Sequence, residues 1–88
     1  MANYIGGSAP AMASQVAEGM VLLGANALRT FTPAELNLLR QEIERLQREA
    51  RAVVPPADDA LAQQSRNRKI GRLGSALQVI GHQLTGRR

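Results

Sequence analysis

The chain has no cysteine and no tryptophan, and only one tyrosine, one phenylalanine and one histidine in 88 residues. Without thiols it forms neither a disulfide framework nor a thiolate zinc site. So few aromatic rings leave no row of stacking platforms for single-stranded nucleic acid. The lone His82 has no second ligand at helical spacing, so a metal site is not expected. Ser8, Ser14, Ser65 and Ser75 lack a histidine and an acid in any nucleophile arrangement. No glycine-rich loop has the form of a phosphate cradle. Neither an enzyme nor a bound cofactor is expected.

Long apolar runs are also missing. The longest, Gly19 to Ala25, falls far short of the ~20 residues of a membrane-spanning helix. No lysine or arginine precedes Arg29, which argues against a secretory signal and an arginine-rich presequence alike. The expectation is a soluble chain, cytoplasmic or held within an assembled particle, without membrane insertion. Its length predicts one small domain with a limited core.

What is present is helical patterning, clearest from Thr32 to Val53. Thr32 is placed to cap a helix, with Pro33 at the first helical position and Glu35 three residues after the threonine. In this capping box, hydroxyl and carboxylate each satisfy the other residue's backbone N–H. Phe31 and Leu36 flank the cap as a hydrophobic staple. Leu36, Leu39, Ile43, Leu46, Ala50 and Val53 then step by threes and fours, a narrow seam for a partner helix. Pro55 and Pro56 end this helix, because proline lacks the N–H and disfavours helical geometry in the preceding residue. Asp58 and Asp59 follow as capping residues of the next helix rather than as a catalytic carboxylate pair. There Ile70, Leu73, Leu77, Ile80 and Leu84 repeat the three-four step.

A short break between helices favours antiparallel neighbours. The predicted fold is therefore all-α: an antiparallel hairpin of helices over about 33–53 and 59–84, with an additional N-terminal helix over about 11–29. In this register Leu36 faces Leu84, Ile43 faces Leu77 and Leu46 faces Leu73. The small residues of 1–10 are read as a flexible or partner-held arm, and 11–88 as the domain. Within 11–29, Met12, Val16, Met20, Leu23 and Ala27 line up at helical spacing as packing residues, while Gly19 and Gly24 each cost about 1 kcal/mol against alanine. Gly71, Gly74 and Gly81 lie inside the last helix; Gly74 and Gly81 share a side and suggest close approach of another helix backbone.

The net charge of +4 is unevenly spread. Arg40, Arg45, Arg48 and Arg51 balance Glu35, Glu42, Glu44 and Glu49 in the central helix, but no acid follows Asp59. Arg66, Arg68, Lys69, Arg72, Arg87 and Arg88 remain there. Such a cluster attracts phosphate backbones without reading sequence; a solvated face, or pairing with glutamates of the facing helix, is the other reading. Gln64 and Asn67 are poor candidates for base readout, since no short glycine turn of a helix-turn-helix precedes them.

The pattern predicts a small noncatalytic structural protein, a helical subunit of a larger particle such as a virion or filament. Other subunits, in a homo-oligomer or a multi-protein assembly, would pack on its first helix and its Gly74/Gly81 side, and the basic helix would face nucleic acid or an acidic partner. The alternative is a free, dimeric, nonspecific nucleic-acid-binding accessory protein. A third reading is a regulator that binds its partner through the Leu36 to Val53 seam.

Overall fold

A computed structural model describes residues 4–86 of the chain, whose regular secondary structure is entirely helical, with no strand among the described residues. Four helices follow in order: α1 (Ala9–Ala17), α2 (Ala25–Leu28), α3 (Pro33–Ala52) and α4 (Ala60–Gly86). The 27 residues of α4 would span about 40 Å at the ordinary helical rise, and they set the long axis of a molecule 47 × 24 × 19 Å in extent.

α3 and α4 form the antiparallel hairpin, and its start is built as the sequence indicates. The Thr32 Oγ1 accepts from the Glu35 N–H at 3.1 Å, and the Thr32 N–H donates to Glu35 Oε1 at 2.8 Å. The register is fixed by two polar contacts across the pair. Gln47 Nε2 donates to the Ile70 carbonyl at 3.4 Å, and Arg66 Nε donates to the Ala50 carbonyl at 3.0 Å. Leu36, Leu39, Ile43, Leu73, Ala76 and Ile80 are buried in one cluster, with Leu46, Leu77 and Leu84 partly buried against it. α4 runs unbroken through Gly71, Gly74 and Gly81.

The seam closes only over its inner two-thirds. α3 stops at Ala52, and Val53 turns extended (φ −92°, ψ 108°), so Val53 is 70% exposed instead of packed. Val54 and Leu61 beyond it are 76% and 78% exposed. The prolines that end α3 also hold its last apolar residues away from α4.

The expected single helix over 11–29 is two helices. Ser8 caps α1 by accepting from the Ala11 N–H at 3.2 Å, and Pro10 sits in the first turn, so Ala9 and Pro10 belong to the helix rather than to an arm. Gly19 then takes φ +79°, a left-handed conformation in which only glycine is at ease. The Met20 N–H reaches the Gln15 carbonyl at 2.9 Å and the Gly19 N–H reaches the Val16 carbonyl at 3.1 Å. This is a Schellman motif, the common glycine stop of a helix. Gly19 is thus a terminator rather than a tolerated interior cost. Substituting Gly19 by alanine is expected to cost about 1–2 kcal/mol in stability, read as a lower denaturation midpoint in urea. The new Cβ would also lie 3.4 Å from the Arg72 guanidinium.

α1 lies across both arms of the hairpin, burying Met12, Ala13, Val16 and Ala17. Leu28 of α2 and Phe31 complete the cluster, both buried. Met20, expected to pack, is 73% exposed, and Leu22 is 95% exposed, because the chain has left the helix before reaching them. Ahead of α1, the Tyr4 ring meets Phe31 edge-on (centroids 5.5 Å apart, planes at 82°). Its hydroxyl donates to the Glu35 carbonyl at 2.8 Å. Burial first, and the Glu35 charge second, push the Tyr4 phenol above its ordinary pKa. The part of the arm before Tyr4 lies outside the described residues, as do Arg87 and Arg88.

Candidate functional site

Helix ends carry carbonyls with no partner of their own, and cations are favoured beside them. Neither α1 nor α4 has a basic residue in its last turn, and α1 ends against the middle of α4. The basic run of α4 supplies the missing donors. Arg72 donates through Nε (3.0 Å) and Nη2 (2.6 Å) to the carbonyl of Ala17, the last residue of α1. Six residues earlier, Arg66 donates through Nε to the Ala50 carbonyl and through Nη2 to the Arg51 carbonyl, both at 3.0 Å, at the end of α3. Lys69 Nζ lies 3.4 Å from Glu18 Oε2, a half-exposed pair of small energetic weight.

Three of the four clustered cations therefore turn inward to helix ends, and Arg68 lies exposed on the outer side. Among the described residues, Arg66, Arg68, Lys69 and Arg72 form no ion pair with an α3 glutamate. Arg45, on α3 itself, bridges Glu42 and Glu49 at 2.9 and 2.6 Å. Because Arg66 and Arg72 bond carbonyls rather than carboxylates, their formal charges are not cancelled. Among the described residues, the first half of α4 keeps a positive field whose one ion-pair partner is Glu18.

The hydrophobic positions divide similarly. Leu36, Leu39, Ile43, Leu46, Leu73, Leu77, Ile80 and Leu84 come together in the core, and Ile70 is half-buried at its edge. A Cβ built on Gly74 meets only the Gln47 side chain, at 3.4 Å, and one on Gly81 meets nothing within 4 Å. Among the described residues no helix backbone closes on either glycine, and both positions lie on half-exposed helix surface. His82 is exposed, and no group of three or more metal-ligating side chains occurs among the described residues.

The sequence pattern missed one surface feature. Where α3 and α4 diverge toward the proline corner, and the end of α1 meets them, a groove of about 700 Å³ opens. Leu46, Ala50, Val53, Val54 and Pro55 line its α3 side, and Ala62, Arg66 and Lys69 its α4 side. Ala17 and Glu18 close the α1 end. The signal lay in the prolines: a seam that runs into a Pro-Pro corner cannot zip to its end. This groove is an aliphatic trough whose charged lining is mixed, Glu18 and Glu49 beside Arg66 and Lys69, with Lys69 paired to Glu18 and Glu49 to Arg45.

No helix among the described residues is long and apolar enough to cross a membrane. Comparisons with family models, with curated proteins and with solved structures find no match.

Proposed function

We propose that the chain is a noncatalytic helical subunit of a larger assembly, a particle such as a virion or filament, that docks through the open end of its hairpin. One observation carries the reading: Val53 and Val54, on the wall of an apolar groove, stand largely exposed, as does Leu61 at the start of α4. Exposed aliphatic residues are ordinary when scattered and informative when grouped about a concavity. Uncovered Met20 and Leu22, close in sequence to the Glu18 wall of the groove, extend the apolar material in the same direction along the chain. The positive first half of α4 then faces a neighbouring acidic subunit or nucleic acid, with Arg68 the outermost of its cations.

Affinity purification from the native source, followed by light scattering, tests this reading. The expected result is a complex larger than a dimer, containing at least one other chain, that persists in high salt because its core contact is apolar. A chain that elutes alone from native extract would refute it. The uncancelled charges of Arg66 and Arg72 favour one second reading, a free nucleic-acid-binding dimer. That protein would also come without other subunits, but would bind duplex DNA with log K falling against log salt by roughly 0.9 per phosphate contact.

A further inference from the structure

The solvent side of α4 is built differently from that of α3. Gln64, Arg68, Gly71, Ser75, Gln78 and His82 step by fours and threes, so they share one face of the helix, and all of them are exposed. Every exposed position from 64 to 82 is Gln, Ser, Asn, Arg, Gly or His, with neither an acid nor a large apolar residue among them. On α3, by contrast, Arg45 is bridged by Glu42 and Glu49 in the ordinary manner of a solvated helix face. No such pairs relieve α4, where Arg68 and Arg72 stand four apart with like charge, a spacing that costs a helix stability. Among the described residues Arg68 has no hydrogen-bond or ion-pair partner. Arg72 uses Nε and Nη2 on the Ala17 carbonyl, which leaves the two donors of Nη1 unengaged. Arg72 and Lys69 lie along one flank of the polar row, and Arg68 lies within it.

We propose that this face binds the phosphodiester backbone of a nucleic-acid duplex, with Arg68, Lys69 and Arg72 contacting phosphates and the polar row lying over the groove beside them. The proposal rests on the reading that the positive half of α4 meets a partner, and it chooses nucleic acid over an acidic subunit. A protein interface has an apolar centre, and the row has none; Leu61 stands outside it, one step before Gln64. Nucleic-acid interfaces are polar and positively charged, and amide and hydroxyl side chains share the phosphate and sugar contacts with arginine and lysine. The absence of acids along the row also leaves nothing to repel a polyanion laid on it. A duplex fits better than a single strand because the face carries no aromatic ring on which bases could stack; Tyr4 and Phe31 pack on each other elsewhere. Glu18 is the one acid paired to these cations, and a phosphate arriving at Lys69 takes the place of its carboxylate.

Fluorescence anisotropy of short labelled duplexes, one of DNA and one of RNA, titrated with the full chain at several salt concentrations, is the test. Wild type is expected to bind, and tighter binding of one duplex supports the proposal and names the source. Three phosphate contacts on DNA give a slope of log K against log salt of about −2.7, or about 40-fold weaker binding at about 200 mM than at about 50 mM salt. Arg68→Gln, at a site with no partner to lose, is expected to weaken binding about tenfold at the lower salt and to reduce the slope by about 1, with helicity by circular dichroism unchanged. Arg48→Gln removes the same charge from the exposed side of α3 and should leave the slope as it is. Glu18→Gln is expected to tighten binding by freeing Lys69. Failure of wild type to bind either duplex overturns the proposal, and so do equal losses for Arg48→Gln and Arg68→Gln, which would mean net charge rather than this face. Competition by poly-glutamate as effective, charge for charge, as by unlabelled duplex overturns it too. If no duplex binds while the native complex persists, the nucleic-acid proposal falls and the assembly reading stands with an acidic subunit as the partner. If duplex binds but the chain purifies alone, this proposal is supported and the assembly reading falls.

Discussion

Leu39→Ala is expected to lower the unfolding free energy by about 2–5 kcal/mol, a large part of the roughly 5 kcal/mol that a domain of this size holds in total. Leu39 is fully buried on α3, in one cluster with Ile43, Leu73 and Ile80, and no polar group inside that cluster offers an alternative contact. Truncation removes three carbons and leaves a cavity that rigid neighbours on three helices cannot close. At about 4–8 °C per kcal/mol for domains of this length, the melting midpoint should fall by more than about 10 °C. The adjacent residue is the control. Leu38 is 53% exposed, and Leu38→Ala should shift the midpoint by only a few degrees. Equal shifts for the two leucines would mean that α3 does not present the Leu36–Leu39–Ile43 edge to α4.

Removing the Arg72 guanidinium is expected to release α1 while leaving the hairpin folded. The Ala17 carbonyl sits at the negative end of α1, is left over by the Schellman bonds around Gly19, and receives both Arg72 hydrogen bonds. Hydrogen bonds from a charged donor contribute about 1.5–3 kcal/mol. α1 has little else at this end beyond Val16 and Ala17 and the half-exposed Lys69–Glu18 pair. Arg72→Met keeps the aliphatic stem and deletes the donors, so the change isolates the cap from the packing. Amide hydrogen exchange should then accelerate across residues 12–20, with α3 and the inner part of α4 still protected. Arg68→Met, on the exposed side of the same helix, should leave exchange unaltered. Unchanged protection of α1 in Arg72→Met would show that the guanidinium contributes nothing to its docking.

The hairpin was readable because its signals are local and agree with one another. Thr32, Pro33 and Glu35 mark where α3 begins, Pro55 and Pro56 mark where it must end, and equal three-four steps on the two helices admit one antiparallel register. Gln47 and Arg66 bond across the pair in that register. The N-terminal third was harder because the same residue type carries two meanings. Gly19 inside an apolar run reads as a helix interior weakened by about 1 kcal/mol, whereas its left-handed φ makes it the stop. Ser8 followed by Pro10 was a legible cap and helix start, hidden by the surrounding small residues that resemble a loose arm.

The basic cluster shows a different limit. Its charges were visible, but the groups they serve are backbone carbonyls, which every sequence contains at every position. Only the packing of α1 and α3 against α4 decides that the Ala17, Ala50 and Arg51 carbonyls lie within reach. One cue was present: α1 brings no lysine or arginine to its own last turn. A helix that lacks its own terminal cation borrows one from elsewhere or leaves its end to water. Glycine spacing is limited for a related reason: a missing side chain permits close approach without requiring it, and among the described residues nothing fills that space at Gly81.

The edge-on contact of Tyr4 with Phe31 has a practical spectroscopic consequence. With no tryptophan and one tyrosine in the chain, all tyrosine emission originates at Tyr4, whose phenol also donates to the Glu35 carbonyl. Emission intensity and anisotropy therefore report, without any label, whether the first residues are seated against the start of α3.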